Sequence, residues 1–214
     1  MKNKMSFRGV NRWILMLGAA ASVSVGGLTA CVPLLVGGAF GSSALIATDR
    51  RTSGMQLEDE GIELRALSRL RNPLGERSHL NLTSYNRQVL LTGEVASSQD
   101  KQQIEQTVAG VENVLSIVNE LGVMGHSTLA QRSSDVLVTG RVKAALVDAR
   151  DLSANAFKVV TERGTVYLMG RVTQREADRA TGIVRAASGV QKVIRLFEVI
   201  SEQELARLSP APKP

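Results

Sequence analysis

The sequence has few of the residues on which most catalytic and metal sites depend. Among 214 residues there are one cysteine and two histidines. A single cysteine cannot form an internal disulfide, and His79 and His126 lack the spacing of a zinc site, so we interpret both histidines as solvated loop residues. There is also no nucleophile elbow, no phosphate-cradling loop and no acidic pair that stands out as a general acid and base. The pattern indicates a protein that is not an enzyme and has no cofactor, no metal site and no small-molecule substrate.

Aromatic residues are also scarce, at 3% of the chain, so any core must consist mainly of Val, Leu, Ile and Ala. What the sequence does contain is a repeat. VLLTGEV at 89–95 returns as VYLMGRV at 166–172, and G-V-x-x-V occurs at both 110–114 and 189–193. Apolar residues at every second position indicate a strand with one buried face. The repeat predicts two copies of one small α+β unit, and units of this size are stable mainly when they pack on each other.

The N-terminus has the pattern of a secretory signal, with four basic residues in 2–12 and an apolar stretch at 13–27. The sequence LTAC at 28–31 follows and resembles the lipobox of bacterial lipoproteins. That resemblance implies cleavage before Cys31, acylation of its thiol, and delivery to the outer membrane, because Val32 rather than aspartate follows. The alternative is an uncleaved anchor helix, since residues 13–47 carry no charge and about 20 apolar residues span a bilayer.

Charge is distributed unequally between the two units. The formal net charge is +6, but removal of the signal peptide leaves 22 basic and 20 acidic residues, so the composition does not indicate nucleic-acid binding. Residues 54–130 contain six basic and ten acidic residues, and residues 133–200 contain eleven basic and seven acidic residues. The net charges of −4 and +4 predict that the second unit suits an anionic phospholipid surface and the first does not. The alternative is ordinary drift on a solvated face.

Hydrophobic periodicity and turn residues predict the order α-β-β-α-β in each unit. In the first unit the predicted elements are a helix at 56–71, strands at 80–83 and 89–95, a helix between Ser97 and Gly110, and a strand at 114–121. In the second they are a helix at 134–147, strands at 156–161 and 166–172, a helix from a Thr173–Glu176 capping box to Ala187, and a strand at 193–200.

This order, with the V-x-L-x-G strand and the G-V-x-x-V segment, resembles the BON domain. Asp59-x-x-Ile62 and Asp135-x-x-Val138 also fit the first helix of that family. The resemblance predicts a lipoprotein signal peptide at 1–30, a lipidated tether at 31–53, BON domains at 54–124 and 125–200, and a largely disordered tail at 201–214. For an outer-membrane lipoprotein with two BON domains, the family implies a position facing the periplasm, phospholipid interaction, support of envelope integrity, and presence at division sites.

The helix at 134–147 is the candidate lipid-binding element. Its predicted core stripe consists of Val138, Val142 and Leu146. Val136 and Leu137 are additional apolar residues in its predicted first turn, and Arg141 and Lys143 lie nearby, a combination typical of a helix end that inserts into a headgroup layer. The family resemblance implies membrane contact at the start of this same helix. The alternative is that Leu137 packs against the first unit.

Two hypotheses about function follow. The first is a non-enzymatic lipoprotein that binds anionic phospholipid through its second BON domain. The second is an interaction module in which the pair of BON domains docks a protein partner of the cell envelope.

Overall fold

The computed structural model describes residues 49–74 and 79–208, except for the side chains of 72–74. The first domain consists of α1 (Ser53–Leu74), β1 (His79–Tyr85), β2 (Gln88–Val95), α2 (Ser98–Ala109), β3 (Ser116–Asn119) and β4 (Gly122–Val123). The second consists of α3 (Leu129–Asp148), a short 3₁₀ helix (Ala154–Ala156), β5 (Lys158–Glu162), β6 (Thr165–Val172), α4 (Gln174–Ala186) and β7 (Lys192–Val199), and is followed by α5 (Glu202–Leu208).

Both sheets have the same topology. β2 is central in the first sheet, antiparallel to β1 and parallel to β3 and β4. β6 is central in the second, antiparallel to β5 and parallel to β7. This arrangement confirms the predicted α+β class and the α-β-β-α-β order of each repeat.

Each domain has its own aliphatic core between one sheet face and two helices. In the first, Ile62, Ala66 and Leu70 of α1 pack with Ile104 and Val108 of α2 on the sheet. In the second, Val138, Val142 and Leu146 of α3 pack with Ala177, Ala180 and Val184 of α4. These residues include the core stripes that the helical spacing predicts.

A third buried cluster joins the two domains. It contains Tyr85 and Leu90 from the first sheet and Tyr167 and Met169 from the second, with Ile194 among the partly buried residues around them. In each central strand these residues alternate with those of the domain core, so they lie on the opposite sheet face. The sheets therefore pack face to face, and the layers run helix, sheet, sheet, helix.

The repeated glycine allows β1 and β5 to approach the central strands closely. Gly93 has φ +114, and a Cβ there would overlap the backbone carbonyl oxygen of His79. A Cβ at Gly170 would overlap the carbonyl oxygen of Ala156 in the same way. The glycine of the V-x-L-x-G pattern is therefore a steric requirement of the hairpin.

The structure differs from the predictions at three places. The single strand at 114–121 is instead β3 and β4, because Leu121 turns into the core between them and is only 2% exposed. The helix predicted at 134–147 begins at Leu129. The tail predicted as largely disordered begins with α5. The predicted signal peptide, Cys31, most of the predicted tether and residues 209–214 lie outside the described residues.

Candidate functional site

The start of α3 is fixed by a capping box that the sequence analysis missed. The Thr128 side chain accepts a hydrogen bond from the Gln131 amide, and the Gln131 side chain accepts one from the Thr128 amide. Each bond satisfies a backbone group that would otherwise lack a partner at the helix end. As a result, Val136 and Leu137 lie in the third turn of the helix rather than the first.

The outer face of α3 presents aliphatic side chains to solvent. Val136 is 70% exposed and Leu137 is 60% exposed, which rules out the alternative in which Leu137 packs against the first domain. Leu129 and Val147 are exposed on the same helix. At 100° per residue, Leu129, Val136 and Val147 fall on one line about 27 Å long, with Leu137 on its flank.

Lys143 lies about 40° around the helix from this apolar line, and Arg141 lies about 40° from Leu137. Arg141 is exposed and donates a hydrogen bond of 3.3 Å to the carbonyl oxygen of Ser188. Lys143 is exposed and has no ion-pair partner among residues 49–74 and 79–208. The acidic residues of α3 are Asp135, which is buried, and Asp148 at its end. Before Asp148 at the end of the helix, the charged side chains exposed on α3 are therefore basic.

The segment that enters the fold ahead of α1 is anchored to both domains. Arg50 forms a two-pronged ion pair with Glu176 of α4, with both N–O distances 2.7 Å, and also donates to the carbonyl oxygen of Arg171. The Arg51 guanidinium donates a hydrogen bond of 2.8 Å to the carboxylate of Asp59 in α1. Arg50 and Arg51, predicted as part of the tether at 31–53, therefore hold the segment against both domains.

This segment reaches α3 at a cleft between the domains. Asp49 and Arg51 line the cleft together with Lys143 and Val147 of α3. The Arg51 guanidinium lies 4.3 Å from the centre of the Tyr85 ring, an arrangement suited to a cation–π contact. The first described residues, from Asp49 on, therefore lie beside the apolar and basic face of α3.

A buried aspartate holds the first hairpin turn in each domain. Asp59 accepts 2.8 Å hydrogen bonds from the backbone amides of Asn86 and Arg87, whose φ angles are 49° and 68°. Asp135 accepts 2.8 Å hydrogen bonds from both turn amides at 163–164. The Asp-x-x-aliphatic pattern therefore combines a turn anchor with a core residue one helical turn later.

A second polar cluster lies between the domains, far along the sheets from the Arg50 anchor. His79 is the first residue of β1, and its Nδ1 lies 3.2 Å from the Glu94 carboxylate. Glu94 is fully buried and also contacts Arg163 at 3.0 Å and the amide of Ser127 at 3.1 Å. The interpretation of His79 as a solvated loop residue was wrong, because only 19% of its side chain is exposed.

Glu162 of β5 completes this cluster. His79, Glu94 and Glu162 each offer one potential ligand atom, and the three atoms lie within 4.8 Å of one another. Burial opposes ionisation of Glu94, but hydrogen bonds from Ser127 and Arg163 hold its pKa below the usual value. Burial raises the pKa of Glu162. The spacing of these residues in the sequence gave no signal of this cluster, because it depends on contacts between domains.

Comparison with known proteins identifies the repeated unit. The BON domain model matches residues 58–125 and 134–201. The chain belongs to the BON-domain family. Each matched segment begins inside the first helix of a unit and covers the rest of its α-β-β-α-β order.

Two relatives of similar length come from bacteria. The chain is 35% identical to the outer membrane lipoprotein DolP of Haemophilus influenzae over 199 residues, which cover 92% of this chain and 100% of DolP. It is 32% identical to a 21 kDa hemolysin of Actinobacillus pleuropneumoniae, covering 71% of this chain and 79% of that protein. The C-terminal domain of CdsD, a type III secretion system protein of Chlamydia trachomatis, matches 63% of this chain and 97% of its own with a TM-score of 0.28 and 13% identity.

The similarity to DolP supports an outer-membrane lipoprotein built from two BON domains. None of the helices in the described ranges is both long enough and apolar enough to span a bilayer.

Proposed function

We propose that this protein is a non-enzymatic lipoprotein of the outer membrane, facing the periplasm, whose second BON domain binds anionic phospholipid through the outer face of α3. The observation that carries the proposal is the exposure of Val136 and Leu137 beside Lys143, which has no ion-pair partner among the described residues. Through this contact the protein would support envelope integrity, including at division sites.

The energetics favour a contact that depends on both the apolar and the basic residues. Full burial of one aliphatic side chain contributes about 1.5–3 kcal/mol, and each basic residue near an anionic surface about 1 kcal/mol. Arg141 and Lys143 thus add to the insertion of Val136 and Leu137 only where the headgroups are anionic. A single membrane-binding feature gives reversible attachment to the bilayer, whereas a lipid anchor together with a basic and apolar helix gives stable attachment.

The anchored N-terminal segment agrees with this geometry. Asp49 and Arg51 share a cleft with Lys143 of α3, so chain leading from Cys31 joins the fold next to the proposed membrane-binding helix. Acylation of Cys31 would therefore hold α3 near the bilayer. Mass spectrometry of the membrane-extracted protein should give a mass for residues 31–214 with acyl groups, and the Cys31→Ser variant should remain unprocessed. An unmodified mature N-terminus would contradict this part of the proposal.

Vesicle flotation of a fragment spanning 48–214, which retains the Arg50 and Arg51 contacts, tests the phospholipid contact. We expect recovery with vesicles containing phosphatidylglycerol and little recovery with phosphatidylcholine alone. Leu137→Glu should abolish the difference, because it places a carboxylate where the bilayer would have to desolvate it.

The chain offers a matched control in Leu64, which is 69% exposed on α1 of the acidic domain. Leu64→Glu makes the same chemical change on the first helix of the other repeat and should leave vesicle binding unchanged. Equal recovery with neutral and anionic vesicles, unaffected by Leu137→Glu, would refute the proposed lipid contact.

A second candidate function is docking of an envelope protein on the first domain. The observation that favours it is an exposed leucine stripe on α1 formed by Leu57, Leu64 and Leu67. These residues are spaced seven and three apart and therefore share one helix face. A cross-linked partner that is lost in Leu64→Glu and retained in Leu137→Glu would support this function.

A further inference from the structure

The polar cluster between the domains does not belong to the proposed membrane-binding face. It is formed by β1, β2 and the end of β5, whereas the membrane-binding face consists of exposed residues of α3. The cluster brings together one histidine, His79, and two carboxylates, Glu94 and Glu162, whose potential ligand atoms all lie within 4.8 Å. Glu94 is fully buried and Glu162 is 7% exposed.

The repeat shows that the fold itself does not require these residues. With the offset of 77 positions, Glu162 corresponds to Tyr85, because each is the last residue of its strand before the hairpin turn. Glu94 corresponds to Arg171 by the same offset. At that end of the interface the Arg171 amide donates to the Tyr85 hydroxyl, so the equivalent site carries a phenol and a guanidinium. The cluster at His79 is thus a local specialisation.

The two carboxylates of this cluster differ in their charge partners. Glu94 has Arg163 as an ion-pair partner at 3.0 Å. Glu162 accepts a 2.8 Å hydrogen bond from the Asn81 amide group but has no ion-pair partner in residues 49–74 and 79–208. Ionising a buried carboxylate without a counter-charge is unfavourable. A cation bound between Glu162, Glu94 and His79 would supply that counter-charge.

We propose that His79, Glu94 and Glu162 form a binding site for a divalent transition-metal ion of the zinc type that bridges the two BON domains. Zinc in proteins is bound by His nitrogen and by Asp or Glu oxygen, and a site with three protein ligands holds water in the fourth position. His79 is the most exposed of the three residues and provides the route by which the ion enters.

The present geometry needs only small side-chain adjustments to bind the ion. Zinc–ligand distances of about 2.0–2.2 Å place the ligand atoms of a tetrahedral site about 3.4 Å apart. The three ligand atoms now lie within 4.8 Å of one another, and rotation of the Glu162 and His79 side chains would shorten these distances. Arg163 and Ser127 already hold the Glu94 carboxylate and would act as outer-sphere partners that orient it.

Zinc titration of the full-length chain, purified in detergent without a histidine tag and stripped of metal with a chelator, tests the site. The Cys31→Ser background removes the only thiol, and calorimetry should then give one Zn²⁺ per chain. His79→Gln and Glu162→Gln should each weaken zinc affinity at least about tenfold. Zinc should also raise the thermal midpoint of the Cys31→Ser background protein, because it binds the folded state.

The second histidine provides the control, because His126 is exposed in the segment between the domains. His126→Gln should bind zinc as tightly as the Cys31→Ser background. Circular dichroism of metal-free variants checks folding, and the nearly isosteric Glu162→Gln keeps the test valid if His79→Gln unfolds. Absence of stoichiometric zinc, unchanged affinity in Glu162→Gln, or loss of binding in His126→Gln would each overturn the proposal.

Discussion

The replacement Asp59→Ala tests whether the buried aspartate anchors the first hairpin. The change removes the acceptor of two turn amides, those of Asn86 and Arg87, and of the Ser84 hydroxyl and the Arg51 guanidinium. Asp59 is 2% exposed, so water cannot easily replace the carboxylate. Each unsatisfied buried group costs about 1–3 kcal/mol. Because Asn86 and Arg87 are only half-buried, relaxation of the turn should recover part of these costs, and we expect a loss of about 3–5 kcal/mol in the free energy of unfolding.

The repeat provides an internal reference for this magnitude. Asp135→Ala removes the acceptor of the two equivalent turn amides at 163–164, but Asp135 has no ion-pair partner among the residues that the structure describes. A hydrogen bond to a charged group contributes about 1.5–3 kcal/mol, so Asp59→Ala should cost more than Asp135→Ala by roughly the contributions of Arg51 and of the Ser84 hydroxyl.

Urea unfolding followed by far-UV circular dichroism measures both losses, since the chain has one tryptophan and it lies in the predicted signal peptide. The two domains need not unfold together, and the transition that shifts should be that of the altered domain. Losses below 1 kcal/mol for both variants, or a larger loss for Asp135→Ala, would refute the assignment of Asp59 as a charged turn anchor.

Three further predictions concern the anchored segment and the central strand. Arg50→Ala leaves Glu176, which is 3% exposed, without its ion-pair partner and should destabilise the second domain by about 3 kcal/mol in the same urea titration. The control Arg175→Ala disrupts an exposed ion pair with Glu202 and should cost less than about 1 kcal/mol. Burial opposes ionisation of Glu176, but the ion pair with Arg50 and the hydrogen bond from the Thr173 amide lower the pKa of Glu176 below 4.5. The ionised carboxylate therefore contributes its full stabilisation above pH 4.5, and this contribution is lost as the pH falls through the folded-state pKa. Acid unfolding of the Glu176→Gln variant should therefore be less steep below about pH 4.5. Gly93→Ala should cost more in the urea titration than the about 1–3 kcal/mol of its φ of +114 alone, because the Cβ would also overlap the carbonyl oxygen of His79. Alanine at Gly140, where a Cβ meets no atom within 4 Å, should be neutral or stabilising.

Local patterns predicted most of the fold. The core stripes of α1 and α3 follow from helical spacing, and the Thr173–Glu176 capping box is present as predicted. The start of α3 was predicted too late because Thr128 and Gln131 precede the apolar periodicity, although their spacing fits the same capping motif. The hydrogen bonds of the Thr128–Gln131 capping box set the start of α3, and the spacing of its apolar residues did not indicate it.

Contacts between distant residues account for what the sequence did not predict. The Arg50–Glu176 pair joins residues separated by 126 positions, and no local pattern distinguishes Arg50 from any solvated arginine. No local pattern distinguishes Glu162 either. Its place beside a hairpin turn is typical of a turn residue, but its side chain accepts a hydrogen bond from Asn81 in β1 of the other domain. At α3 the sequence indicated Val136 and Leu137 as candidates, and only the packing of the domains showed that both are exposed.

The two domains have opposite net charge, and the proposed orientation places only the second against the anionic surface. Charges act on that surface mainly within about one Debye length, which is about 8 Å at physiological ionic strength. Lys143 lies on the proposed membrane-binding helix α3, whereas exposed Glu60 lies on α1 of the other domain. Reversing the charge of Lys143 with Lys143→Glu should therefore weaken binding to anionic vesicles by about 2 kcal/mol, or roughly 30-fold. Reversing exposed Glu60 on α1 with Glu60→Lys should change it less than about twofold. Comparable effects of the two reversals in vesicle flotation would mean that the first domain also lies at the membrane, and the proposed orientation would then be wrong.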